Sequence, residues 1–293
     1  MATLTRRPSS QPLTILGMAI LKWGIGTVGV SSRARGMARW GVALGAVLGA
    51  LCMPVAPVTA SVWASDNPGP PLPITRLNAS QLYQASVSAL KAERGVAYSS
   101  DVMAGPDSDT TVVEAGQSVG LSTLVLKHGT LTGHLSVVFI GSAAFVKGDK
   151  YGLQSVNFSA KAAARESGRW VEVLASAGSA QVHNVFQVLS GTLTIPTIVS
   201  GIALASPFRL AGTKTVMGQQ TRAIKGYSAA QPGPPPSTEE LYVREAVVPL
   251  PVQAVISGSG LTVTINFTSW GKEPVVRAPR GAVEFQPSWL NAK

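Results

Sequence analysis

Residues 116–120 read Gly-Gln-Ser-Val-Gly, the G-x-S-x-G spacing that seats a nucleophilic serine on a tight turn in many hydrolases. Asp149 and His183 follow Ser118 in the order acid, then histidine, so an acyl-transfer triad can be written down. That chemistry needs a strand before the serine and a helix after it, on a parallel sheet. After Gly120 the chain reads Leu-Ser-Thr-Leu-Val-Leu-Lys, which continues as strand. With Val119, Leu121 and Val125 turned toward a core, Ser118 falls on the opposite, wet face. The motif lacks its helix and is read as coincidence.

The other reactive residue types form no better constellation. His128, His134 and His183 have no metal-ligand spacing and are expected as surface imidazoles. Glu239 and Glu240 adjoin a Pro-rich stretch and read as solvated. Neither Gly201 nor the glycines at 258 and 260 open a helix as a phosphate loop requires. The expectation is a protein without catalysis, metal or cofactor.

Composition narrows the class. Of 293 residues, 13% are charged and 45% hydrophobic, with 30 Gly and 20 Pro, which excludes disorder and a helical bundle. The formal charge of +10 is unevenly spread: the first 64 residues hold six of the 24 basic residues and none of the 14 acids, leaving the rest at +4. Those remaining basic residues are scattered, without runs or aromatic interleaving, so no nucleic-acid partner is expected.

The basic N-terminus has a different logic. Arg33, Arg35 and Arg39 precede an uncharged apolar run from Trp40 to Cys52, and small residues follow at Val58-Thr-Ala60 and Val62-Trp-Ala64. That pattern predicts a secretory signal peptide within an N-terminal extension spanning 1–64, with Met37 as the start and cleavage after Ala60 or Ala64. Leu51 stands where a lipoprotein signal needs a small residue, which argues against a lipid anchor at Cys52, the single cysteine. The location implied is extracytoplasmic. A Pro-rich linker covers 65–78, and one domain is expected over 79–290.

Within that domain, Asn78-Ala-Ser-Gln81 has capping-box spacing and predicts a helix over 79–93. From Gly95 the period changes to two. Strands are expected near 95–103, 110–115, 118–127, 130–140, 143–148 and 169–175, then 207–216, 219–228, 240–247, 251–257 and 260–269. Alternation is clearest in 131–139, where Leu131, Leu135, Val137 and Phe139 share a face, and in 261–268, where Leu261, Val263, Ile265 and Phe267 do. Between the two groups of strands, 179–205 is helical and apolar. Val182, Val185, Phe186, Leu189 and Leu193 follow i, i+3, i+4, i+7, i+11, and Gly191 and Pro196 should break the helix. The fold class expected is α+β, a large curved antiparallel sheet forming a half-barrel with helices over its apolar concave face.

The segment 182–204 carries more hydrophobic surface than one packed face requires. Besides the stripe, Ile195, Ile198, Val199, Ile202 and Leu204 are apolar. Ordinary core explains this, and so does the roof of a cavity for an apolar ligand. The cavity candidates are Leu135, Val137 and Phe139 on one strand, Val263, Ile265 and Phe267 on another, and Val182, Val185, Phe186, Leu189, Leu193, Ile198 and Ile202 above them.

Four segments, in order, resemble the actinobacterial lipoproteins of the LppX/LprG type. Residues 137–148 read VVFIGSAAFVKG, similar to an apolar strand followed by a-Y-V-K-G, with Phe145 in place of the usual tyrosine. Residues 167–173 read SGRWVEV and are similar to that family's gkWv-v strand. Residues 211–226 resemble its G-t-x-x-v-x-G hairpin, and Leu250-Pro-Val with 263–279 resembles its closing l-P-v and W-G-x-P-v segments. The resemblance implies a LolA-like half-barrel that binds acylated lipid or lipoglycan in a hydrophobic cavity for carriage in the cell envelope. It also leaves open an envelope sensor or protein-interaction module on the same scaffold, RseB-like, with a membrane or envelope protein as partner. A serine hydrolase ranks third.

Overall fold

Period-two alternation forces side chains to opposite faces of an extended chain, and eleven such segments pair into one sheet. The computed structural model describes residues 74–176, 179–228, 237–258 and 260–291. The expected signal peptide, Met37, Cys52, the linker as far as residue 73 and residues 231–236 of the Pro-rich stretch lie outside the described residues.

The long strands are β1 (Gly95–Ala104), β2 (Asp107–Gly116), β3 (Val119–His128), β4 (Leu131–Ile140), β5 (Ala143–Gly148) and β6 (Val171–Leu174), then β7 (Leu204–Val216), β8 (Gln219–Ser228), β9 (Thr238–Arg244), β10 (Pro251–Gly258) and β11 (Leu261–Trp270). A two-residue strand β12 (Val283–Glu284) joins them. Their order across the sheet is β12-β6-β5-β4-β3-β2-β1-β11-β10-β9-β8-β7. β1 and β11, far apart in sequence, pair near the middle, so the two groups of strands form one surface. Every pair is antiparallel except the two-residue β12 beside β6, so the large curved sheet is mixed at one edge. β12 was too short to leave an alternation signal.

The sheet is a curved half-barrel, its edges β12 and β7 remaining unjoined. Register breaks between Ala97 and Tyr98, between Pro251 and Gln253, and twice in β7 supply bends. The tight hairpins β3–β4 and β4–β5 turn at Gly129 and Gly141, both at φ 59°, a conformation that costs a side-chain-bearing residue energy.

Helices lie on the concave side. α1 (Ala79–Ala92) starts with the expected capping box: Asn78 Oδ1 accepts from the Gln81 amide at 2.9 Å, and Gln81 Oε1 accepts from the Asn78 amide at 3.0 Å. Two short helices, α2 (Lys150–Ser155) and α3 (Ala160–Glu166), have no counterpart among the sequence expectations; neither is long enough to repeat an apolar stripe. The apolar segment 179–205 resolves into α4 (Ala180–Ser190) and α5 (Ile195–Gly201). The break falls at Gly191 as expected. Pro196 sits at the start of α5, where its missing N–H costs nothing, so it begins a helix rather than interrupting one.

α4 turns Val182, Val185, Phe186 and Leu189 inward, the predicted stripe. Burying each contributes roughly 1.5–3 kcal/mol. Beneath them are Leu135, Val137 and Phe139 of β4 and Val263, Ile265 and Phe267 of β11, all buried in the same core. Gly120 permits the link after α4 to touch β3, since a Cβ there would overlap the Leu193 carbonyl.

One phase assignment is wrong. On β3 the buried positions are Gly120, Ser122, Leu126 and His128, whereas Val119, Leu121 and Val125 are half-buried on the convex side. Apolar residues occupy both faces of this strand, and counting them favoured the outer one.

Candidate functional site

The concave wall and α4 do not close completely on each other. Between them lies a hollow of about 80 Å³. Its walls are Tyr98, Ser100 and Val102 from β1, Thr111 from β2, and Ser122 and Leu124 from β3. Leu135 and Val137 of β4 and Val263 and Ile265 of β11 continue the wall, and Val188, Leu189, Thr192 and Val156 close it from the helical side. Every lining side chain is uncharged. An ionised group entering here would lose its hydration without gaining a counter-charge.

Five of the thirteen cavity candidates, Leu135, Val137, Leu189, Val263 and Ile265, line this hollow. The other eight are buried elsewhere in the same core: Phe139, Val182, Val185, Phe186, Leu193, Ile198, Ile202 and Phe267. Phe139 packs on Phe186 with ring centroids 6.0 Å apart, and Phe267 stacks on Trp270 at 5.1 Å. Their faces were legible from periodicity; whether a face packs or stands off depends on curvature, which periodicity does not encode.

A hydrogen bond crosses the hollow. Tyr98, 4% exposed, donates its hydroxyl to the Thr192 carbonyl at 2.6 Å, tying the α4–α5 link to the sheet. Burial pushes the Tyr98 phenol well above its usual range, so it stays a donor at any physiological pH.

Beyond the end of the hollow the sheet carries a polar cluster that the sequence reading missed. His128, expected at the surface, is buried; its Nε2 lies 3.1 Å from Asp109 Oδ1 and its Nδ1 2.7 Å from the Tyr151 hydroxyl. Gly133 and Gly152 let α2 lie flush on β4 and bring Tyr151 there, since a Cβ on Gly152 would overlap the His134 carbonyl. Burial raises the Asp109 carboxyl to about 6 although His128 pulls the other way. Both imidazole nitrogens are engaged, so the cluster clamps α2 to β2 and β3. The signal was available: Asp109 shares parity with Thr111 and Val113, and His128 with Leu126.

Glu239 is a second correction. Expected to be solvated, it is fully buried on β9, and among the described residues neither carboxylate oxygen has a hydrogen bond of normal geometry. Burial raises its pKa to about 8, with Ser228 close enough to pull it down slightly. Glu240, the next residue, alternates to the other face and is half-buried.

The serine motif is not assembled as a catalytic site. Ser118 is exposed in the β2–β3 turn, where its carbonyl accepts from the Gly141 amide at 2.9 Å. Asp149 caps α2, its two oxygens accepting from the His134 and Gly152 amides, and His183 contacts Gln187 on α4. No hydrogen bond joins any two of Ser118, Asp149 and His183. Ser118→Ala is therefore expected to leave ligand binding unchanged and stability within about 0.5 kcal/mol. An esterase activity present in the wild type and lost in this variant would contradict that. Among the described residues no cluster of three His, Cys, Asp or Glu could hold a metal ion.

No family model and no curated protein matches the chain. Solved structures do resemble it. LprF from Mycobacterium bovis is 16% identical, with 70% of this chain and 97% of that one covered, at a TM-score of 0.44. The lipoprotein LppX of Mycobacterium tuberculosis is 12% identical over 68% of this chain and 97% of its own, at 0.42. The Pseudomonas aeruginosa MucA/MucB complex includes a chain 12% identical, covering 67% of this chain and 58% of that one, at 0.33. At such identity, function has to be read from this chain's own residues.

Proposed function

We propose that this protein is an extracytoplasmic lipid-binding protein that holds an acylated lipid or lipoglycan between the concave sheet and α4, for carriage through the cell envelope. What supports this is the hollow itself. Apolar side chains of β4, β11 and α4 face one another across a space with uncharged walls instead of interlocking. Protein interiors otherwise pack as densely as organic crystals, so a standing gap at the centre of a sheet–helix interface invites a ligand. Each methylene transferred into it contributes about 0.8 kcal/mol. The reading involves no catalytic step.

Size sets a condition. Small-molecule sites usually measure roughly 300–1,000 Å³, and this hollow is about 80 Å³. A whole acyl chain therefore fits only when α4 and the Gly191–Leu193 link move away from β1 and β3. The Tyr98–Thr192 bond must then break or shift.

The test is mass spectrometry of an organic extract of natively purified protein, with titration of the delipidated protein by a fluorescent C16 acyl probe. Copurifying acylated lipid and saturable binding are expected. A lipid-free preparation that ignores the acyl probe and instead retains a stoichiometric protein partner would replace this reading with that of an interaction module.

A further inference from the structure

Three hydroxyls face the hollow without a hydrogen-bond partner among the described residues. Ser100 on β1, Thr111 on β2 and Ser122 on β3 all line it, and none makes a side-chain hydrogen bond to any described residue. They are neighbours: Ser100 and Thr111 are cross-strand partners, and Ser122 stands opposite Val113, the next inward residue after Thr111 on β2. The remaining strand walls, Leu135 and Val137 on one side and Val263 and Ile265 on the other, are apolar. The tyrosine in the same wall is already satisfied by the Thr192 carbonyl.

The polar demand continues past Thr111. Asp109 is the next inward residue on β2, and its cross-strand partner Val102 lines the hollow. Asp109 Oδ1 is taken by His128, and its buried Oδ2 has no hydrogen bond of normal geometry to any described residue. A wall built only to hold hydrocarbon gains nothing from three such hydroxyls on adjoining strands, because an acyl chain that displaces solvent strips their hydration and offers no hydrogen bond in return.

Building on the lipid-binding reading, we infer that the ligand is a hydroxylated acyl lipid, whose chain carries a neutral hydroxyl that lies against Ser100, Thr111 and Ser122. A hydroxyl both donates and accepts, as these three side chains do, so it can join them in one network. An ionised headgroup does not belong at this depth, since no cationic side chain lines the hollow. Such a headgroup remains at the solvent side while the chain hydroxyl is read inside.

Two probes separate this inference from the reading beneath it: stearate and 12-hydroxystearate, which share a carboxylate and differ by one mid-chain hydroxyl. Calorimetric titration of the delipidated wild type should show 12-hydroxystearate binding about tenfold more tightly, the effect of one or two well-made hydrogen bonds. The near-isosteric double variant Ser100→Ala/Thr111→Val should erase that preference, with the loss falling on 12-hydroxystearate and stearate binding at least as tightly as to the wild type, because its chain then meets an apolar wall. Ser122→Ala, a milder change, should reduce it in part. Equal wild-type affinities for the two probes would overturn the inference and leave lipid binding standing, as would a double variant that weakens both probes alike. Binding of neither probe would overturn the lipid-binding reading itself.

Discussion

Between pH 4.5 and 8 the protein should lose stability steadily, and Glu239→Gln should remove most of that loss. The main cause is one carboxyl. In the unfolded chain it titrates near 4.5, and in the folded chain burial holds it protonated to about 8. Below the lower value both states carry the proton, so pH has no effect through this group. Between the two values only the folded state keeps it, and each pH unit costs the fold about 1.4 kcal/mol. Above the higher value both states are ionised and the loss levels off. The full span is on the order of 5 kcal/mol, a large share of a typical folding free energy. Asp109, raised from 3.8 to about 6, acts with the same sign over a lower window, so the part above pH 6 isolates Glu239. Gln keeps the size and the neutrality of the protonated acid. Denaturant unfolding at pH 5, 7 and 9 should show the variant gaining on the wild type as pH rises. Parallel curves, within about 0.5 kcal/mol throughout, would mean that Glu239 finds a counter-charge or water in solution.

Glu239 also shows why the fold was more legible than its exceptions. All eleven long strands, the capping box at Asn78 and the break near Gly191 were readable because each rests on local chemistry: a period, a side-chain cap, a missing Cβ. The wall of the hollow was half-readable. Val263 and Ile265 stand on a strand whose apolar and polar residues separate cleanly, so one phase was possible. On β3, Leu121 and Val125 face out while Ser122 and Leu124 face the hollow, and no local rule chooses between the phases. The choice is made by β2 and β4, which hold β3 in register through Val113–Ser122 and Leu124–Leu135. Buried polar residues are hardest to anticipate, because a sequence shows a charge without its surroundings. His128 looks like a turn residue until α2, an element too short to foresee, sets Tyr151 beside it.

Val263→Trp should abolish acyl-probe binding while costing little stability, and Val185→Trp should do the reverse. Both valines are almost fully buried, 4% and 2% exposed, so burial alone predicts the same penalty for each. They differ in what they face. Val185 is packed under α4 away from the hollow, and a larger side chain there must displace neighbours. Overpacking of that kind costs about 1–3 kcal/mol, or roughly 2–12 °C in melting temperature for a domain of this size. Val263 borders the space that Leu135, Val137, Leu189 and Ile265 also line. An indole there moves into the hollow and takes the volume that ligand methylenes need, at about 0.8 kcal/mol of lost transfer energy for each one excluded. The measurement pairs thermal melting of delipidated protein with titration by the C16 probe. Equal, large drops in melting temperature for the two variants would show that the wall around Val263 is packed core. Near-wild-type melting with lost binding in Val263→Trp, beside a destabilised Val185→Trp that still binds below its transition, places the acyl chain against β11.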